Sequence, residues 1–302
     1  MSQVVIPEGF KIGHWQDEYT GVSVILCEEG AVGGVDVRGC APGTRETDLL
    51  HAEKAIEVLH AVTLCGGSSY GLEAACGVMH YLREKGIGYR MGDKIVPLVS
   101  GAVIYDLNGK GYHYPTAESG RKAAESASTE VRTGAVGAGK GATVGKIRGA
   151  AFADKSGLGM ATVQVGGATV TAVVVVNACG DVYDVDSGKI IAGAKANDGS
   201  FLGTADCIVS GNFARLMTGA NTTIGCIVTD AKLTKLQANK LATLAHDGMA
   251  RAIRPVHTDF DGDTLFVMSS GKKEAEFMML GVAAEEATAR AIMNAVLSVK
   301  KA

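Results

Sequence analysis

Glycine supplies 41 of the 302 residues, about twice an average share, and this limits what the chain can fold into. The glycines follow no triplet period, which excludes a collagen helix, and five prolines are too few for a Pro-rich linker. Aromatic residues make up only 5%, so a core has to be built from Val, Ala, Ile and Leu. Small side chains of that kind suit closely packed strands and helices. Apolar residues reach 47% and charged residues 20%, which rules out a disordered chain. The net charge of −3 provides no basic field for a polyanion, so no nucleic-acid partner is expected.

The most apolar run, Ala172–Val176, stops at Asn177 and is far short of a bilayer span, so no membrane partner is expected. The opening residues show no positive cap before a long apolar core, as a signal peptide would. The seven cysteines form no CxxC pair and are odd in number, which suits free thiols in a reducing compartment. A cytoplasmic protein is the expectation.

An α/β rhythm runs through the chain. Val22–Leu26, Val32–Val37, Thr223–Thr229 and Leu265–Met268 read as strands, with β-like segments between Gly134 and Gly180. A helix is expected from Ser68 or Ser69 as cap to Gly86 as stop, and a more polar one over 116–130. A long helix through Leu233–Ile253 and a final one over 274–299 follow, with a polar stretch near 186–220 before them. Without strict βαβ alternation, a layered α/β sandwich fits better than a barrel.

Several apparent motifs fail on inspection. Gly134–Gly141 nearly matches a phosphate loop, but Gly141 stands where the Mg²⁺-binding hydroxyl belongs. Asp259, Asp261 and Asp263 begin like a calcium loop, yet Thr264 replaces the turn glycine and Ser270 the closing glutamate. No HExxH pair occurs, and His113 and His246 read as structural or surface residues.

Six blocks point in a different direction: residues 27–50, 64–82, 97–107, 134–146, 174–184 and 254–266, together with Asn221-Thr222 in the run GANTTIG. Over nearly the whole chain and in the same order, they resemble the self-cleaving N-terminal-nucleophile aminopeptidases. That group comprises the D-aminopeptidases, the β-peptidyl aminopeptidases and the nylon-oligomer hydrolases. The resemblance implies a layered αββα sandwich and a single catalytic domain, 1–302, cut at Asn221–Thr222 into an α chain 1–221 and a β chain 222–302. It also implies no cofactor, and tetramers of αβ units.

Carried over residue by residue, the resemblance makes Thr222 the nucleophile, its new α-amine the base, and Asn177 the oxyanion donor. Lys146 becomes the cation at the site, with Lys140 of the same loop as an alternative, and Tyr105 an assisting residue. Asp261 and Asp263 lie two apart, so on an extended segment both carboxylates face one side and could orient the Thr222 hydroxyl. Gly262 between them leaves room for close approach. The implied activity is hydrolysis of amides in small peptides, amino-acid amides or ω-amino-acid oligomers. An acyltransferase of the ornithine acetyltransferase type is the alternative, on the likeness of Ile227–Ala231 to that family's cleavage run. Its KGSGMI-like block should adjoin the scissile bond, whereas SGLGMA lies at 156–161. An uncleaved, non-catalytic relative is the remaining reading.

Overall fold

The computed structural model describes residues 3–107, 111–213 and 219–300, so residues 214–218 of the polar stretch lie outside them. Strands β1 (Lys11–Gln16), β2 (Gly21–Val37), β3 (Val58–Cys65) and β4 (Val99–Val103) are joined edge to edge. A second group comprises β5 (Leu158–Val165), β6 (Ala168–Asn177), β7 (Thr222–Ala231) and β8 (Thr264–Lys273). The two apolar runs near the start are one strand. In β2, residues 22–26 pair with β1 and β3, and residues 32–37 pair with β8. The register shifts between Leu26 and Ala31, where Gly30 has φ 86°, so β2 bends where the sequence suggests a break.

Alternation along the strands separates three cores and thereby four layers. Ile25, Val62 and Leu64 meet Val173, Ile224 and Phe266 between the two strand groups. On the far side of β5–β8, Val170, Val174, Ile227 and Val267 pack on helices α3 (Lys235–Ala252) and α4 (Phe277–Lys300). On the other outer face, Val22, Val24 and Ala61 pack on α1 (Ala74–Glu84) and α2 (Ala117–Glu125). This is the αββα sandwich expected from the sequence. Each fully buried Val or Leu contributes about 1.5–3 kcal/mol, so the stack stands on many small side chains.

The glycines make that stacking possible. A Cβ at Gly77 or Gly120 would sit 1.7 or 1.9 Å from a backbone oxygen of the facing helix, and one at Gly159 1.9 Å from the Ala291 carbonyl of α4. Caps follow the sequence only in part. Thr116 and Ser119 form a reciprocal capping box on α2, which ends at Glu125, short of residue 130. Neither Ser68 nor Ser69 caps α1. Residues 68–73 make a 3₁₀ turn entered through Gly67 at φ 80°, because the Gly67 and Ser68 N–H groups are taken by Asp106 Oδ1 and Ile104 O. Tertiary hydrogen bonds override the local signal there.

Candidate active site

Three central strands meet at one end of the inner sheet. β6 stops at Asn177, β7 starts at Thr222, and β8 starts just beyond the Asp261–Asp263 segment. Asn177 and Thr222 are register partners, and Asn221 bridges Asp261 in parallel. Strand parity does the rest. Val173 and Val175 of β6, and Ile224 and Cys226 of β7, face the space between the sheets. Asn177 and Thr222 share their parity and so face the same way.

Thr222 is 2% exposed, and its hydroxyl donates to the carbonyl oxygen of Asn221 at 2.5 Å. The same oxygen accepts the Gly262 N–H at 3.0 Å. A Cβ at Gly262 would lie 2.9 Å from Thr222 Oγ1, so the glycine is needed for this approach. The bond expected to break is therefore polarised by one fixed donor, with a hydroxyl against it.

Lys146 is drawn in by its loop: its own N–H donates to Cys179 O, and the Gly145 N–H to Gly180 O. Its Nζ donates to Asn177 O (2.9 Å), Asn177 Oδ1 (2.7 Å) and Ala220 O (3.0 Å). Three acceptors match the three protons of an ammonium. Burial pulls this amine down to about 7, although Cys179, Asp261 and Asp106 pull it back up. Lys140 instead lines a separate cavity with Glu18 and Tyr19. Asn177 Nδ2 donates to Tyr105 O at 3.1 Å and Ala220 O at 3.3 Å. In the intact chain its amide thus holds the carbonyl before the one expected to react, and Tyr105 joins the cluster through its backbone.

The two carboxylates do not share a task, and neither takes the Thr222 hydroxyl among the described residues. Asp261 Oδ2 accepts from the Thr258 N–H and hydroxyl, at 2.9 and 2.5 Å. Burial pushes Asp261 up to about 6, and the Asp263 charge adds to the shift. Asp263 Oδ1 accepts the Thr223 N–H at 2.7 Å, and its Oδ2 accepts from His257 through both its backbone N–H (3.1 Å) and Nδ1 (2.8 Å). The turn of residues 258–261, closed by Asp261 N–H to Thr258 O, ends where Asp261 bridges Asn221, and it is Gly262 whose Cβ direction meets Thr222 Oγ1, so the carboxylates on either side of it face away from the hydroxyl. Two participants were not read from the sequence as site residues. Gly262 was expected only to leave room, yet its N–H is a donor. His257, at φ 56°, has as its sequence signal its place within the block 254–266, six residues before Asp263.

No group of three or more His, Cys, Asp or Glu that could hold a metal occurs among the described residues. No described helix is long and apolar enough to cross a membrane.

A buried threonine hydroxyl on the carbonyl of its own preceding residue, beside a lysine and an amide, suits acyl transfer from an amide. The sequence matches the pattern of peptidase family S58 over residues 7–302. The chain belongs to peptidase family S58. As an S58 member it is a hydrolase of peptide or amide bonds. An uncharacterized aminopeptidase of Mycobacterium leprae is 38% identical, with 99% of this chain and 91% of the relative aligned. A 6-aminohexanoate-oligomer endohydrolase of a Kocuria species is 34% identical over 87% of this chain and 73% of that one. Among solved structures, an L-aminopeptidase D-Ala-esterase/amidase from Ochrobactrum anthropi, described as a variant of the Ntn hydrolase fold, superposes with a TM-score of 0.72. It is 17% identical, over 99% of this chain and 88% of the other. A Burkholderia β-aminopeptidase gives 0.69 at 20% identity, over 98% and 88%. At those identities the likeness extends this S58 chain's kinship in fold.

Proposed function

We propose that the protein is an autoprocessing amide hydrolase whose nucleophile is Thr222, released as a chain terminus by cleavage of Asn221–Thr222. The observation that carries this is the Thr222 hydroxyl 2.5 Å from the Asn221 carbonyl oxygen, with the Gly262 N–H on that same oxygen. The hydroxyl oxygen bonds to the Asn221 carbonyl carbon, and the C–N bond to Thr222 breaks. The hydroxyl proton passes to the departing nitrogen, and water then hydrolyses the ester. Chains 1–221 and 222–302 remain within one catalytic domain.

The freed α-amine has an ordinary pKa near 8, so about a tenth is neutral at pH 7 and can take the hydroxyl proton when a substrate arrives. The precursor's own segment supports a placement for that substrate. Gly262 N–H serves the Asn221 carbonyl, while Asn177 Nδ2 and Lys146 Nζ serve the Ala220 carbonyl. An incoming amide placed over these positions meets the same donors, and the group on its developing oxyanion contributes about 3 kcal/mol. The substrates are N-terminal residues of small peptides or amides, or ω-amino-acid oligomers. All seven cysteines are free, which fits a cytoplasmic protein, and the working form is an oligomer of αβ units.

Denaturing electrophoresis with intact mass tests the reading. Wild type resolves into pieces of 221 and 81 residues, and Thr222→Ala stays whole and inactive. Cleavage at the same bond, or turnover, in Thr222→Ala overturns it. Parallel assays on L-alanyl, D-alanyl, β-alanyl and 6-aminohexanoyl amides then fix the substrate class.

A further inference from the structure

Beside the Thr222 cluster, and lined by other residues, is a cavity of about 430 Å³, within the usual size range of small-molecule sites. Asp106, only 2% exposed, lines it. Its Oδ1 accepts the Gly67 N–H at 2.6 Å, but its Oδ2 is buried with no hydrogen-bond partner among the described residues. Burial pushes the Asp106 carboxyl up to about 6, and the Thr20 hydroxyl beside it does not reach hydrogen-bonding geometry. Side chains are kept away from Oδ2: a Cβ at Gly66 or Gly141 would fall 2.3 or 2.5 Å from it. Ser156, on the same cavity and 1% exposed, also has an unpartnered hydroxyl.

A buried carboxylate oxygen without a donor is costly, and a bound cation removes that cost. The rest of the lining narrows the choice. Glu18 adds a second carboxylate, Lys140 and Lys155 add two ammonium groups, and neither lysine is in an ion pair among the described residues. A phosphate or other anion would face Asp106, and a simple amine would face the lysines. Two charges of each sign match a molecule that carries one of each. The Tyr19 ring, tilted 34° against His113 with centroids 4.2 Å apart, supplies a flat wall for a short methylene chain.

We infer that this cavity binds a small zwitterionic amino acid, its primary ammonium on Asp106 Oδ2 and Ser156 Oγ and its carboxylate on Lys140 and Lys155. The site is independent of the Thr222 assignment. It adjoins the Thr222 cluster along the chain and through the charge of Asp106: Asp106 follows Tyr105, whose carbonyl accepts from Asn177, Lys140 and Lys146 share one loop, and the Asp106 carboxylate pulls the Lys146 amine up.

Calorimetric titration of the purified protein with β-alanine, 4-aminobutyrate and 6-aminohexanoate, against hexanoate and hexylamine, tests the inference. At least one of the three zwitterions is expected to bind tenfold or more tighter than both single-charge controls. Asp106→Asn, which keeps an acceptor for Gly67, is expected to weaken that binding at least tenfold. Lys155→Met, at an exposed position that leaves folding intact, is expected to erase the preference over hexylamine. A zwitterion bound no better than the controls overturns the inference, as does unchanged binding in either variant.

Discussion

Replacing Gly262 by alanine isolates the one fixed donor on the Asn221 carbonyl. The added Cβ would stand 2.6 Å from the Ala41 carbonyl oxygen, 2.9 Å from Thr222 Oγ1 and 3.2 Å from the Ala41 carbonyl carbon. Ordinary contacts begin near 3.4 Å, so something has to move by about 0.8 Å. Ala41 resists, because its N–H is bonded to Asp261 O at 2.9 Å and the Arg38 and Gly39 N–H groups to Asp263 O at 3.0 and 3.1 Å. The displacement therefore falls on the Thr222 hydroxyl and on the Gly262 N–H itself.

Losing one donor from an oxyanion position costs about 3 kcal/mol of barrier, or roughly two orders of magnitude in rate. The steric overlap costs about 1–3 kcal/mol of stability, a shift of several degrees in melting temperature. Timed electrophoresis of freshly purified protein measures the first effect and thermal melting the second. The expected outcome is processing slowed about a hundredfold in a protein that still melts cooperatively. Cleavage at the wild-type rate would show that neither the donor nor the close approach matters, and the geometric argument for the scissile bond would fall with it.

Three further predictions concern the groups around that bond. Lys146→Met removes three hydrogen bonds from Asn177 and Ala220 and is expected to slow processing at least a hundredfold; an unaltered rate would make the lysine a bystander. Burial lowers the Lys146 amine from 10.5 to about 7, so between those values the unfolded chain binds more protons and native stability rises with pH. In urea titrations on a Thr222→Ala background, the Lys146 protein should gain on the order of 2 kcal/mol over Lys146→Met between pH 7 and pH 9, and a constant gap refutes the shift. His257→Ala leaves Asp263 Oδ2 with a single backbone donor, and turnover is expected to drop about tenfold or more. His257→Asn tolerates the positive φ and keeps an N–H donor near Nδ1, so it should recover most of that loss; equal rates for the two would remove His257 from any positioning role.

What the sequence reveals, and what it hides, follows from how far each signal depends on the fold. Val173–Val176, Ile224–Val228 and Leu265–Met268 are legible as strands because their apolar character is local, and their meeting at the Asn221–Thr222 end follows from pairing them. Choosing Lys146 over Lys140 is a different kind of problem. Both sit in one glycine-rich loop, and what separates them is Gly145 at φ 72°, with backbone bonds to Gly180 and Cys179 that turn residue 146 inward. No composition or spacing encodes that turn.

The Asp-Gly-Asp segment shows the limit most sharply. Spacing of two places Asp261 and Asp263 on one face, but the position that faces Thr222 Oγ1 is Gly262 between them. Asp261 is therefore committed to Thr258, and Asp263 to Thr223 and His257. The glycine between them, read from sequence as mere clearance, supplies the N–H that the scissile carbonyl uses. A backbone donor has no side-chain identity to read. It becomes visible only when β8, entered through Gly262, is laid parallel to β7, which is why the atom expected to govern bond cleavage belongs to a residue without a functional group.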